Sequence, residues 1–157
     1  MDGDASLVAP TFGFKIQTIR WHDYQLHCWD IGGQRSIRPY WRNYFEETDG
    51  LVYVIDSAAP HRFAEATREL EGLLSQDKLA NASVLILANK QDIDGSVRGE
   101  EIESMLGLDH ALGSKSGKTH WRLFESSATK NTSQQIKEPL EWLVNDIASR
   151  LYLINNQ

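Results

Sequence analysis

The sequence predicts an α/β fold, a mostly parallel sheet with helices on both faces. Two continuously apolar runs, residues 51–55 (Leu-Val-Tyr-Val-Ile) and 84–88 (Val-Leu-Ile-Leu-Ala), have strand length and suit strands buried on both faces. Apolar residues recur at helical spacing between them, at Phe63, Ala66, Leu70, Leu73 and Leu74. They do so again near the end, at Ile136, Leu140, Leu143, Val144, Ile147 and Leu151. Strands alternating with helices require parallel pairing through helical crossovers.

The remaining elements follow in order. Residues 14–20 alternate apolar and polar as a half-buried strand does, Trp21-His22-Asp23 reads as a turn, and residues 24–30 close a hairpin. Gly32-Gly33 breaks the second strand, and Pro39 opens a short helix reaching Phe45. A short helix over 101–106 and a weak strand over 121–124 precede the C-terminal helix, whose start Pro139 places near Glu138. Neither a repeat nor a linker interrupts the chain, so the expectation is a single domain over 1–157.

Composition limits the functions open to it. With 41% hydrophobic and 24% charged residues the chain is an ordinary globular one. A net charge of −6 argues against a nucleic-acid binder and a polybasic membrane anchor. No apolar run has the length of a membrane span, and position 2 is Asp2 rather than the glycine that myristoylation needs. A lone cysteine, Cys28, excludes an internal disulfide and fits a reducing, cytoplasmic setting.

Two segments at predicted strand ends carry chemistry. Ligands of open α/β sheets bind beyond the carboxyl ends of the strands, where Asp30, Asp56 and Asn89 fall. In Asn89-Lys90-Gln91-Asp92, the Asp92 carboxylate matches the two adjacent donors of guanine, N1–H and the 2-amino group. Asn89 braces the loop and faces the guanine carbonyl edge, while the Lys90 stem covers a face of the ring. In Asp30-Ile31-Gly32-Gly33-Gln34, an acidic residue at a strand end suits Mg²⁺ held through water. Gly33 presents a backbone N–H to a γ-phosphate with no Cβ in the way. Gln34 has a donor and an acceptor and orients an attacking water. Taken alone, each segment is also read as a polar turn after a strand; their order, with a buried strand between, favours the nucleotide reading.

Residues 10–56, from Pro-Thr-Phe-Gly-Phe through Trp-Asp-Ile-Gly-Gly-Gln-Arg to Val-Ile-Asp-Ser, resemble the Arf and Arf-like branch of small GTPases, near its second and third Arf-like members. The resemblance runs over essentially the whole chain and implies the P-loop NTPase-like small-GTPase fold. It implies a GTP/GDP switch that uses Mg²⁺ and works with effector, exchange-factor and GTPase-activating proteins. It gives Thr11 the switch threonine that ligates Mg²⁺, with Asp30 as the second metal-side residue. It puts Gln34 in the hydrolytic role, and Gly33, Asn89, Lys90, Asp92, Ser127 and Ala128 around the nucleotide. The Ala128 backbone N–H would meet the base carbonyl. It also implies an effector surface on Phe14, Trp29 and Tyr44; without it, these aromatics read as ordinary core.

The family's opening strand, phosphate loop and first helix span about 30 residues. Residues 1–29, ahead of Asp30, contain no GxxxxGK[ST]. The expectation is a chain that starts after that helix, with weakened nucleotide binding and impaired hydrolysis. A nucleotide-free interaction module is the alternative, and a non-functional fragment a third reading. Gly113 to Thr119 ends in Gly-Lys-Thr, but Leu112 spoils the spacing and a strand follows where a helix should, so a surface loop is expected. Thr129-Lys130-Asn131 departs from a stretch where the family carries a glycine.

Overall fold

The computed structural model of the protein describes residues 11, 13–108, 119–129 and 135–155. Residues 113–118, Lys130 and Asn131 lie outside them. The chain divides into two compact units, Met1–Glu47 and Thr48–Gln157.

The first unit holds an antiparallel hairpin. Strands β1 (Phe14–Trp21) and β2 (Tyr24–Ile31) pair in a register from Phe14↔Ile31 to Trp21↔Tyr24. The two-residue turn is His22-Asp23, where His22 takes φ 51°, as tight hairpin turns require. The expected Pro39 helix is a 3-10 segment, Arg38–Tyr44, with the proline in its first turn.

The second unit is a parallel three-stranded sheet in the order β3 (Gly50–Asp56), β4 (Ser83–Asn89), β5 (Trp121–Glu125). Helices α1 (Phe63–Leu74), α2 (Gly99–Leu106) and α3 (Lys137–Asn155) complete it. Side chains on one face of the sheet, Ile55, Val84, Ile86 and Ala88, pack with Phe63 and Leu70 of α1 and Ile102 and Leu106 of α2. Leu85 and Leu87, on the other face, pack with Leu143 of α3. Strand β4 is central, and Val84, Leu85, Ile86 and Ala88 are fully buried.

The expectation that β3 is also buried on both faces is corrected here. Val52 and Val54 are 44% and 57% exposed. They share a face with Leu85 and Leu87, but β3 is the edge strand and α3 packs over β4 instead.

Helix α3 is fastened at the amino ends of the strands. Asp146 Oδ2 accepts from Ser83 Oγ at 2.5 Å, and its Oδ1 lies 2.9 Å from His120 Nδ1. Arg150 reaches the carbonyls of Asn81 and Asp49 and the Ser83 hydroxyl. Gly50 permits the approach, since a Cβ there would lie 2.9 Å from Ile147 Cδ1 and 3.2 Å from Leu143 Cδ1. Among the described residues, no helix is long and apolar enough to cross a membrane.

Candidate functional site

The residues singled out in the sequence gather into two sets, one in each unit. In the first unit, β2 ends at Ile31, which puts Asp30 at its last turn of pleat. Thr11 Oγ1 donates to Asp30 Oδ2 at 3.1 Å, so both residues assigned to the metal side are in contact. Their oxygens are hard donors of the kind Mg²⁺ takes. Gly32 lies under Thr11: its N–H donates to Gly13 O at 2.9 Å, and a Cβ would stand 2.4 Å from Thr11 O. Only glycine fits that approach. Gly33 is exposed, and nothing lies within 4 Å of the place a Cβ would take. Its carbonyl and that of Gly32 accept from Arg38 Nε and Trp41 Nε1, each at 3.0 Å. The Gln34 carbonyl accepts from Ile37 N–H at 2.9 Å, in the turn just ahead of the 3-10 segment.

Phe14, Trp29 and Tyr44 meet in the same unit. Their ring centroids lie 5.3–5.6 Å apart in tilted pairs, the geometry that aromatic quadrupoles prefer. Phe14 and Trp29 are about half exposed (49% and 48%). They form a surface cluster rather than a core.

The second set lies at the carboxyl ends of β3, β4 and β5. Asn89 closes β4, and Ser126, just past β5, donates its hydroxyl to Asn89 Oδ1 at 3.4 Å. Ser127 is 4% exposed, and its hydroxyl donates to Asp92 Oδ1 at 2.5 Å. That bond ties the loop after β4 to the loop after β5. It holds one carboxylate oxygen of Asp92 in place. Lys90 takes φ 69°, a left-handed conformation uncommon for a residue with a Cβ. Its Nζ lies 2.7 Å from Asp56 Oδ2 at the end of β3, so the lysine spans two strand ends. The pair is exposed and adds little stability. Ala128 directly follows Ser127 in the loop after β5.

Four residues of this region were not found from the sequence. Gln135 Oε1 accepts the Ser127 N–H at 2.7 Å. Gln91, Arg98 and Glu125 form a chain of contacts beside the Asn89–Asp92 loop: Arg98 Nη1 is 3.0 Å from Gln91 Oε1 and 3.3 Å from Glu125 Oε2. The sequence signalled a missing cap on α2 and not the residue that supplies it. Helix α2 has Arg98 at its N-cap, a side chain with no acceptor, so an acceptor had to come from elsewhere.

Comparison with known proteins gives the family and the fold. The sequence profile of the ADP-ribosylation factor family matches residues 1–147. ADP-ribosylation factor-like protein 2 of Arabidopsis thaliana is 47% identical over 152 residues, which cover 97% of this chain and 79% of that protein. The protein of the same name from Dictyostelium discoideum is 42% identical over 152 residues, 97% of this chain and 79% of that one. ADP-ribosylation factor-like protein 3 of Chlamydomonas reinhardtii is 41% identical over 144 residues, 92% and 77% of the two chains. The Arl6 BBS3 small GTPase of Trypanosoma brucei, solved with the bound nucleotide analogue GppNp, superposes with a TM-score of 0.83. That match covers 94% of this chain and 87% of the other at 22% identity, and it shows the small-GTPase fold. By sequence and by fold, this chain belongs to the ADP-ribosylation factor family.

Proposed function

We propose that this chain is an Arf-like, guanine-nucleotide-dependent switch of one domain in a cytoplasmic setting, with Asp92 as the reader of the base. The observation that carries the reading is the 2.5 Å bond from the buried Ser127 hydroxyl to Asp92. It joins two loops that the family resemblance assigns to the base, the first of which the chemistry of guanine also picks out. It also leaves the carboxylate a fixed orientation from which to accept two donors. Asn89 and Lys90 flank it, and the Ala128 N–H serves the base carbonyl. On the phosphate side, Thr11 and Asp30 would hold Mg²⁺, which when bound spreads the negative charge of the phosphates. Gly33 offers its N–H to the γ-phosphate, and Gln34 orients the water that attacks it.

Residues 1–157 contain no GxxxxGK[ST], so a polypeptide of these residues alone lacks the backbone cradle and lysine for the phosphates. Several charge-assisted hydrogen bonds, each contributing about 1.5–3 kcal/mol, are then unmade. Affinity falls by decades while base preference remains. Titration of a fluorescent GDP with Mg²⁺ tests this, using the 157-residue chain and the same chain with a family phosphate-loop segment fused ahead of it. Weak saturable binding in the first and tight binding in the second is expected. Nanomolar binding by the first would overturn the weakened reading. In the fused chain, Asp92→Asn should shift preference from guanine toward xanthine. An unchanged preference would remove Asp92 from the site.

The exposed cluster of Phe14, Trp29 and Tyr44 favours a second reading, an interaction module that needs no nucleotide. In the switch reading the same cluster is where effectors dock, and rigid exposed aromatics suit an interface anchor. A chain that binds an effector equally well with and without GTP would decide for the second reading.

A further inference from the structure

Gln91 is the one residue of the Asn89–Asp92 stretch to which the reading above gives no role, yet it is tethered at three points. Its backbone N–H donates to Ser126 O at 3.1 Å. Its side-chain Nε2 donates to Val97 O at 2.9 Å, and its Oε1 accepts from Arg98 Nη1 at 3.0 Å. Arg98 in turn leans on Glu125 Oε2 at 3.3 Å. The other oxygen of Glu125 accepts the Gly99 N–H at 2.8 Å and so caps α2 from the end of a neighbouring strand. Gly99 makes room for this, since a Cβ would lie 2.9 Å from Leu123 Cδ2 and 3.4 Å from Glu125 Cγ. Glu125 is one residue before Ser126, so the contacts close a circuit: loop, start of α2, end of β5, and back to the loop.

We propose that Gln91 is the positioning residue of the base-reading loop, held in place by Glu125 through Arg98, and that this circuit sets the preference for guanine. The proposal rests on the reading of Asp92 as the base reader. A two-point contact between a carboxylate and a base edge needs alignment within a fraction of an ångström, and side chains outside the contact supply it. The backbone just before Gln91 makes the need acute. Lys90 sits in the left-handed region, so the loop reverses sharply between Asn89 and Gln91 and must be pinned on both sides. Asn89 is pinned by the β4 ladder. Gln91 does the same for the other side. The Arg98–Glu125 pair is 68% and 42% exposed, so by itself it is screened and weak. The bonds of Gln91 to Val97 and of Gly99 to Glu125 are partly buried and carry more.

The test compares GDP with IDP, which lacks the 2-amino group and so reports the second half of the Asp92 contact. Fluorescent forms of both are titrated into the 157-residue chain and three variants. Gln91→Met removes both side-chain bonds, Gln91→Glu keeps the acceptor for Arg98 but loses the donor to Val97 O, and Glu125→Gln keeps the cap of α2 but loses the charge. The expected wild-type preference for GDP is about tenfold or more. Gln91→Met should cut that ratio about fivefold, Gln91→Glu by less, and Glu125→Gln by about twofold. A folded Gln91→Met chain with the wild-type ratio would overturn this proposal and leave Asp92 as reader. If Gln91→Met does not fold, an unchanged ratio in both Gln91→Glu and Glu125→Gln overturns it equally. A wild-type chain that binds GDP and IDP equally well would overturn the base-reading proposal itself, and this one with it.

Discussion

Asp146 shows how much one side chain of α3 carries. Its carboxylate takes hydrogen bonds from Ser83 and from Arg150 Nε at 3.2 Å and faces His120, with the side chain only 15% exposed. Burial pushes the carboxyl up, but the Ser83 bond, then His120 through its bond and charge, and Arg150 outweigh it and hold the group below the usual range. A carboxylate depressed in the folded state adds stability that is present above its unfolded value and lost as pH falls through the folded one. Asp146→Asn should therefore cost about 2 kcal/mol near neutral pH, and the gap from wild type should narrow in acid. Urea unfolding at about pH 4 and again at about pH 2 checks it, a window that lies across the depressed folded value; a gap as large at the lower pH would contradict the assignment. Ser57 makes the opposite case. Its Oγ is buried with no hydrogen-bond partner among the described residues, while its backbone is paired with Asn89 and Val97. Ser57→Ala should leave stability unchanged or raise it by up to about 1 kcal/mol, read as the urea midpoint. Asp92 stood out because its tetrapeptide follows an apolar strand, whereas Ser127 was named only through the family resemblance. Glu125 and Gln135 were not legible, since their partners lie 26 and 8 residues away and no local pattern records a cap donated from another element.

At the scale of elements, pattern carried further. The spacing of Phe63, Leu70, Leu73 and Leu74 matches the ends of α1 (Phe63–Leu74), and the alternation over 14–20 marks β1 to within one residue. What an apolar run does not report is its neighbours. Residues 51–55 and 84–88 look alike, yet one is a half-exposed edge and the other the centre of the sheet. Helix α2 starts at Gly99, earlier than residue 101, because Glu125 supplies a cap that the sequence before the helix lacks. The packing of α3 against the start of β3 depends on Gly50. Gly50→Val should crowd Ile147 and Leu143 and cost about 1–3 kcal/mol. A denaturant midpoint equal to wild type would show that α3 yields without strain.

Across the whole molecule, burial is uneven. In the unit Met1–Glu47 the described residues that are buried are Gly32 and Phe45, whereas the two apolar clusters on the faces of β4 lie in the unit Thr48–Gln157. Local opening costs least where few apolar contacts must be broken. Hydrogen exchange should therefore be fast across β1 and β2 and slowest in β4. Equal protection in the two would refute the assignment. The residues proposed to sense the γ-phosphate would then lie in the unit that rearranges cheaply. Those proposed to read the base lie in the one that does not.

A ribosome delivers a chain from its amino end, so the residues that fasten α3 come after the strands they fasten. Arg150 must return across 69 residues to Asn81 and 101 residues to Asp49. Until Leu143 has emerged, Leu85 and Leu87 have no helix over them. At about 5–20 residues per second, that face stays bare for some seconds. The nascent chain in that interval is a natural client for chaperones that bind apolar segments. The sheet closes only after the last helix is free.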